Sequence, residues 1–232
     1  MTERRATPDD LPEPPERRRR GRLKVYLGYA AGVGKTWRML EEAHALRAAG
    51  VDVVGALVEP HGRPEVAARV GDLELVPRRR VEHRGVAAEE LDLEAALRRR
   101  PAVALVDELQ HVNAPGSRNA RRHQDVEDLL AAGVDVIGAV NVQHLESLND
   151  LVERATGLRV REAVPDAFLE QADELVDLDL AVEDLQARLR AGAIYPPDRV
   201  AWAEAHLFAA RSLATLRELA LREVAESLER TA

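Results

Sequence analysis

Four stretches of this chain are apolar at nearly every position: "RLKVYLG" (22–28), "VDVVGALVE" (51–59), "AVALVDE" (102–108) and "VDVIGAVN" (134–141). A strand with one wet face alternates apolar and polar residues, whereas a strand covered on both faces runs continuously apolar. Each run therefore predicts a strand in the interior of a covered sheet. Between the runs the period becomes helical. "GKTWRMLEEAHALRAAG" (34–50) places Met39, Leu40, Ala43 and Leu46 on one face and stops at Gly50. "PEVAARVG", "VAAEELDLEAALRRR" (86–100), "HQDVEDLLAAG" (123–133) and "VQHLESLNDLVERATG" (142–157) are read as further helices, "LELV" as a short strand and "DELVDLDL" (173–180) as a last one. Strands alternating with helices predict an α/β fold, a parallel sheet covered by helices on both faces. After it come "AVEDLQARLRAG" and a helical run from Pro197 to about Arg230 with an apolar stripe of Leu207, Leu213, Leu216, Leu219 and Val224. This is read as a C-terminal helical appendage packing on the sheet or on a partner. The division expected is a disordered tail over 1–21, an α/β domain over 22–180 and a helical extension over 181–232.

Composition narrows the function classes. The 232 residues are 46% apolar and 32% charged, so the chain can bury a core. Aromatics are only 3%, which makes that core aliphatic and argues against base-stacking platforms for nucleic acid. The net charge of −8 points the same way, so no nucleic-acid partner is expected. Cysteine is absent, which excludes disulfides and thiolate metal sites. Arg17 to Arg20 could attract anionic lipid or nucleic acid; the plainer reading is a solvated charge run. The N-terminus lacks an apolar signal region and no apolar run approaches ~20 residues, so a cytoplasmic protein without a membrane span is expected.

Candidate chemistry concentrates after the strands, where open parallel sheets bind ligands. "GYAAGVGKT" (28–36) either cradles phosphate or is a glycine turn that happens to end in Lys-Thr. The strict phosphate-loop pattern wants glycine five residues before Gly34, a position occupied by Tyr29, with Gly28 one residue too early. The context favours phosphate: a buried strand, then small residues, then a helix N-terminus. Gly28, Ala31, Gly32, Val33, Gly34, Lys35, Thr36 and Trp37 are the candidate nucleotide contacts. Of 33 basic residues only Lys24 and Lys35 are lysine, which suggests that a compact ammonium is required in the loop. ATP is the expected ligand. Thr36 and Asp107, the acid that ends the third strand, are the expected Mg²⁺ ligands, although an acid after a strand often merely caps a turn.

Glu108 is the candidate water-orienting base; a structural pairing with Arg118 or Arg121 competes with that role. His61 and Arg63 in "EPHGR" either contact phosphate and gate the site or serve their own loop. His111 and Asn113 in "DELQHVNAPGSR" either sense a γ-phosphate or shape the turn at Pro115-Gly116. Arg118, Asn141 and His144 complete the candidate sensing loop, with forked arginines of the 108–122 segment available to close over phosphate. A metal site from His111, His123 and His144 lacks the helical spacing that would support it.

Taken together, "LKVYLGYAAGVGKTWRMLEEA", "VEPHGR", "DELQHVNAPGSR", "QDVEDLLAAGVDV", "NVQHLESLND" and "VREAVPD" resemble the N-terminal cytoplasmic domain of the KdpD family of potassium-responsive sensor histidine kinases. The resemblance runs from about Arg22 to the end of the chain, and the offset of Gly28 is shared by that family's loop. It implies an ATP-binding regulatory domain of a two-component system controlling potassium uptake. Its partner would be the kinase portion of such a sensor or a potassium-transport component. In the family this domain precedes a universal-stress-like domain, four membrane helices and a kinase core, none of which is seen in this sequence. "QHLESL" around His144 does not fit a phosphoacceptor box, so the chain is not expected to be a histidine kinase by itself, though weak ATP hydrolysis is compatible with the loop. Met1 and the polar "SLERTA" ending favour a natural short chain over an excised domain. The alternative is a self-sufficient P-loop NTPase or small-molecule kinase.

Overall fold

The continuous apolar runs become the strands of one sheet because only a position between two layers satisfies both of their faces. A computed structural model describes residues 19–83 and 86–231. In chain order its elements are β1 (Leu23–Gly28), α1 (Lys35–Ala48), β2 (Val53–Leu57), α2 (Pro64–Val70), β3 (Arg79–His83), β4 (Val86–Glu90), α3 (Leu93–Arg99) and β5 (Val103–Val106). There follow α4 (Arg122–Ala131), β6 (Asp135–Asn141), α5 (Asn149–Thr156), α6 (Asp166–Leu169), β7 (Glu174–Leu178), α7 (Val182–Arg190), α8 (Pro197–Ala205) and α9 (Ala210–Thr231). Five strands pair in the order β2-β5-β6-β1-β7, and every pairing is parallel. β1 therefore lies inside the sheet, with Gly28 level with Asn141 of β6 and Leu178 of β7.

Alternation along each strand supplies two cores. Leu23, Val25 and Leu27 point to one face, covered by α3, α4, α5, α7 and α9 through residues such as Ala96, Leu129, Val152, Leu185 and Leu216. Tyr26, Leu105 and Ile137 point to the other, covered by Met39, Leu40 and Ala43 of α1 and Val66 of α2. The expected α/β architecture with helices on both faces is thus the one found. The C-terminal helices share the first core, with Leu213 and Leu216 fully buried beside Phe208, so the packing reading of the appendage holds.

Several local readings are corrected. The 86–100 helix is in fact a strand followed by a helix. "VAAEE" pairs antiparallel with "RRVEH", and the helix begins only where the Asp92 carboxylate accepts from the Ala95 N–H at 2.8 Å. Strand pairing overrides the helical preference of Ala and Glu there. The 142–157 helix is shortened to α5 by two 3₁₀ turns, Val142–His144 and Glu146–Leu148. The helical run from Pro197 breaks between Ala205 and Ala210, and "LELV" joins β2 through a single bridge, Gly55 to Leu75. Of the expected tail, 1–18 lies outside the described residues. Gly21 is already buried, its N–H donating to the Leu130 carbonyl at 2.8 Å.

A buried polar knot ties β4 to the segment after β5. Glu90, 4% exposed, accepts from His111 Nε2 at 3.1 Å, the Ala114 N–H at 2.8 Å and Arg122 Nη2 at 3.1 Å. Burial opposes its charge, but these donors outweigh it and hold the carboxyl below its ordinary range. Removing one member of such a pair strands the other charge in the interior. Glu90→Ala is therefore expected to cost about 3–5 kcal/mol and to lower Tm by about 10 °C in a thermal melt. A drop of only a degree or two would show that Arg122 finds water or another partner.

Candidate functional site

The glycine loop and α1 grow directly out of β1. Gly32 and Gly34 have φ of 90° and 109°, a region where side chains are strained, so the turn into α1 depends on them. Gly28 has a different reason for being glycine. A Cβ there would lie 2.5 Å from Val33 Cγ2 and 3.2 Å from Lys35 Cδ, because the loop folds back over the strand end. Tyr29, standing where the strict pattern has glycine, points into the core, and its hydroxyl donates to the Leu180 carbonyl at 2.8 Å. The one-residue offset thus has a steric origin: close approach is needed at 28 and an anchor is placed at 29. α1 has no side-chain cap and no acid in its first turn, which leaves its first N–H groups and positive dipole end facing outward.

A cavity of about 370 Å³ opens at this point, at the carboxyl edge of the sheet. Its walls include Ala31, Gly32, Gly34, Lys35 and Thr36 from the loop and helix, His61 and Arg63 after β2, Asp107 and Glu108 after β5, and Asn141, Gln143 and His144 after β6. Lys35 Nζ donates to Asn141 Oδ1 and lies 3.4 Å from the Ala30 carbonyl, with no carboxylate at ion-pair distance among the described residues. Protein atoms crowd the ammonium even though the cavity leaves part of the side chain accessible. This desolvation outweighs the pull of Glu108 and Asp107 and lowers its pKa to about 8. Lys24, the other lysine, is occupied by Glu42 and Glu174, each at 3.0 Å.

Thr36 and Asp107 meet as the sequence suggests: the Thr36 hydroxyl donates to Asp107 Oδ2 at 2.8 Å. Asp107 is 2% exposed, and burial together with the neighbouring Glu108 charge pushes its carboxyl upward. A buried carboxylate beside a hydroxyl, both at a cavity wall, is a hard-oxygen donor set suited to Mg²⁺. Glu108 does not pair with Arg118 or Arg121. Its carboxylate receives His61 Nε2 at 3.0 Å on Oε1 and Gln110 Nε2 on Oε2. Burial alone would raise Glu108, but the His61 hydrogen bond and the nearby His61 and Lys35 charges bring it down to about 2. The bond to Glu108 raises His61 in turn. His61 and Glu108 are two of only three non-glycine residues with positive φ among the described residues, at 52° and 55°. Strained backbone of this kind gathers where geometry is imposed by function.

The remaining candidates separate. Arg63, Asn141 and His144 line the cavity. His144 Nδ1 donates to the Glu162 carbonyl at 2.9 Å, and burial lowers its pKa, so it is held neutral. His111 is turned to Glu90, and Asn113 donates to Asp125 at 2.7 Å. Arg118 bonds Glu94 at 2.8 Å and Asp128 at 3.2 Å, Arg121 reaches the Ala163 carbonyl, and Arg122 is buried on Glu90. The arginines of 108–122 are thus engaged away from the cavity. The three-histidine metal site does not assemble, since His123 packs on Phe168 with centroids 5.4 Å apart. Trp37 is on the outer side of the loop beneath the Arg69 guanidinium, 4.9 Å from it, and lines a neighbouring hollow of about 530 Å³.

Two contributions escape a motif search. Gln143 lines the cavity with its carboxamide oxygen buried and unpartnered. Ile194, Tyr195 and Pro196 reach back from the C-terminal extension to form a wall, and Arg188 of α7 donates to the Gly32 carbonyl at 3.0 Å. Nothing local in "RAGAIYPP" signals this; only the shared apolar stripe of the extension hinted that it packs near the sheet.

The sheet order, the glycine loop entering α1 and the facing Asp107 define an α/β protein with a P-loop-like fold. Residues 19–228 match the family described as the osmosensitive K⁺ channel His kinase sensor domain, KdpD. The chain belongs to the KdpD family. It is 51% identical over 225 residues to the sensor protein KdpD of Escherichia coli K12, covering 97% of this chain and 25% of that protein. The putative sensor protein KdpD of Synechocystis is 51% identical over 211 residues, covering 91% of this chain and 57% of its own length. The sensor protein KdpD of Mycobacterium tuberculosis H37Rv is 49% identical over 208 residues, 90% of this chain and 24% of that protein. The chain thus spans from about a quarter to just over half of the length of these relatives. No helix among the described residues is long and apolar enough to cross a membrane.

The depressed Lys35 has a consequence for stability. Its ordinary pKa is 10.5 and its folded value about 8, so between those values the unfolded chain binds the extra proton and stability rises with pH. Below pH 8 the charged form is disfavoured in the fold by about 3 kcal/mol. Lys35→Met is expected to raise the Tm of the ligand-free protein by about 5 °C at pH 7, with the gain shrinking toward pH 10. A fall in Tm at pH 7 would show that the ammonium is a net stabiliser.

Proposed function

We propose that this chain binds ATP with Mg²⁺ at the glycine loop and serves as a cytoplasmic regulatory module of potassium-responsive two-component signalling. The observation that carries this reading is the convergence of Lys35, Thr36, Asp107 and Asn141 on one cavity at the uncapped start of α1. The β- and γ-phosphates take the outward N–H groups of the loop and the Lys35 ammonium, which an anion returns to a favourable environment. Asn141, level with Gly28 across the β1–β6 pairing, holds the Lys35 ammonium where it would meet a phosphate in the cavity. Arg63 supplies a second cation. Thr36 and Asp107 would hold Mg²⁺, which would supply charge neutralisation to the bound phosphates. The hollow on the outer side of the loop shares Gly32, Gly34, Arg63 and Ile194 with the cavity and adds Trp37, Arg38 and Leu178, giving room for the nucleoside. Glu108 is the group able to orient a water for hydrolysis.

The relatives are called sensor proteins, and this chain spans a minor part of two of those described and just over half of the third. Nucleotide occupancy read by a kinase portion or a potassium-transport component is therefore the role we assign. Calorimetric titration tests it. Wild type is expected to bind MgATP, and Lys35→Met to bind none. Asp107→Asn is expected to weaken binding with Mg²⁺ by about tenfold or more and to change metal-free binding little. Equal affinity across the three proteins would remove the nucleotide reading, and rapid steady-state turnover would favour a self-sufficient NTPase.

A further inference from the structure

Glu108 stands in the cavity wall with a donor on each carboxylate oxygen, and the two donors are fixed very differently. Gln110 is 4% exposed. Its loop is stitched by the His111 N–H to the Glu108 carbonyl at 3.0 Å and the Arg122 N–H to the His111 carbonyl at 3.1 Å. Its carboxamide oxygen is buried without a partner, so its place is set by the bond it gives Glu108 and by the packing around it. His61 instead sits on the turn Pro60–Arg63, closed by the Arg63 N–H to the Pro60 carbonyl at 3.0 Å, with its side chain 42% exposed and its φ at 52°. The same turn carries Arg63. That guanidinium lines the cavity, has no ion pair among the described residues, and has a buried Nε without a hydrogen-bond partner. One short turn therefore holds both a cation in need of an anion and the donor that occupies Glu108.

We propose that His61 is a positioning residue that ties Glu108 Oε1 to its turn and so keeps the carboxylate, 31% exposed, from orienting an attacking water, and that a triphosphate drawing on Arg63 moves the shared turn and releases it. The proposal rests on the nucleotide reading above. A ligand shifts such an equilibrium only through a contact it makes better in one state, and the Arg63–phosphate fork is that contact. Gln110 stays bound through the change and keeps the freed carboxylate aimed into the cavity. The restraint belongs to a regulatory nucleotide site, because it makes hydrolysis wait on full phosphate engagement.

The test measures ATP turnover and, separately, affinity for MgATP by calorimetry, in the full chain. The variants are His61→Gly, His61→Ala and Arg63→Ala, with Glu108→Gln alone and combined with His61→Gly. Glycine accepts the positive φ at 61, so that variant keeps its fold where alanine could lose it. His61→Gly is expected to raise kcat about tenfold, and adding Glu108→Gln to abolish the gain. Arg63→Ala should lower kcat in the wild-type background and much less in the His61→Gly background, where release is no longer needed. A kcat that is unchanged or reduced in His61→Gly with MgATP binding intact would overturn the restraint, as would a gain that survives Glu108→Gln. If wild type binds no MgATP, the nucleotide reading fails first and the restraint with it, a result distinguishable because binding is measured on its own.

Discussion

The Lys35 ammonium is held at the carboxyl edge of the sheet by neutral oxygens, those of Asn141 and Ala30. A buried cation satisfied only by dipoles is uncomfortable, and the rest of the site follows from that constraint. The strand order puts β6 between β1 and β5, so Asn141 is available to Lys35 while Asp107 is one strand further away. Asp107 is then free to turn to the Thr36 hydroxyl instead of neutralising the lysine. The result is a cation held at the cavity wall beside the uncapped start of α1, the arrangement that the proposed phosphate site requires. Preorganisation of this kind spares a ligand the cost of arranging the groups that bind it.

The loop itself is held from outside the sheet. Tyr29 hangs on the Leu180 carbonyl, Gly32 lies against Ile194 so closely that a Cβ would come within 2.4 Å of it, and Arg188 grips the Gly32 carbonyl. The last two contacts come from the helical extension, which makes the extension part of the cavity's wall and support. Arg188 and the 193–196 segment thus join the C-terminal helices to the glycine loop and the cavity.

The sheet and the heart of the site were legible because they rest on local signals. Continuous apolar runs ending in Gly28, Asp107 and Asn141 mark strand ends, and "GVGKT" marks a helix start. The hairpin of β3 and β4 was missed because Ala and Glu favour helix and only pairing with "RRVEH" overrides them. The partners of the arginines after β5 were not legible for a related reason. A guanidinium near a phosphate loop in sequence says nothing about whether Glu90, Glu94 or Asp128 will claim it first. Arg63 and Arg118 look alike in the sequence; a buried, unpartnered Nε and a place in the cavity wall distinguish the first. Tyr195 joins the site through tertiary packing alone, whereas Gln143 lies between Asn141 and His144 in the loop after β6, within reach of the strand-end rule that selected its neighbours.

The central claim is that the backbone N–H groups at the start of α1 are a ready phosphate cradle. Amide hydrogen exchange over Gly32 to Trp37, followed with and without MgATP, tests it most directly. These amides have no side-chain cap, so they should exchange quickly in the free protein and become strongly protected with ATP, while the centre of α1 stays unchanged. Exchange at Gly32 to Thr36 that is indifferent to MgATP would contradict the account, because it would mean that the loop holds no phosphate.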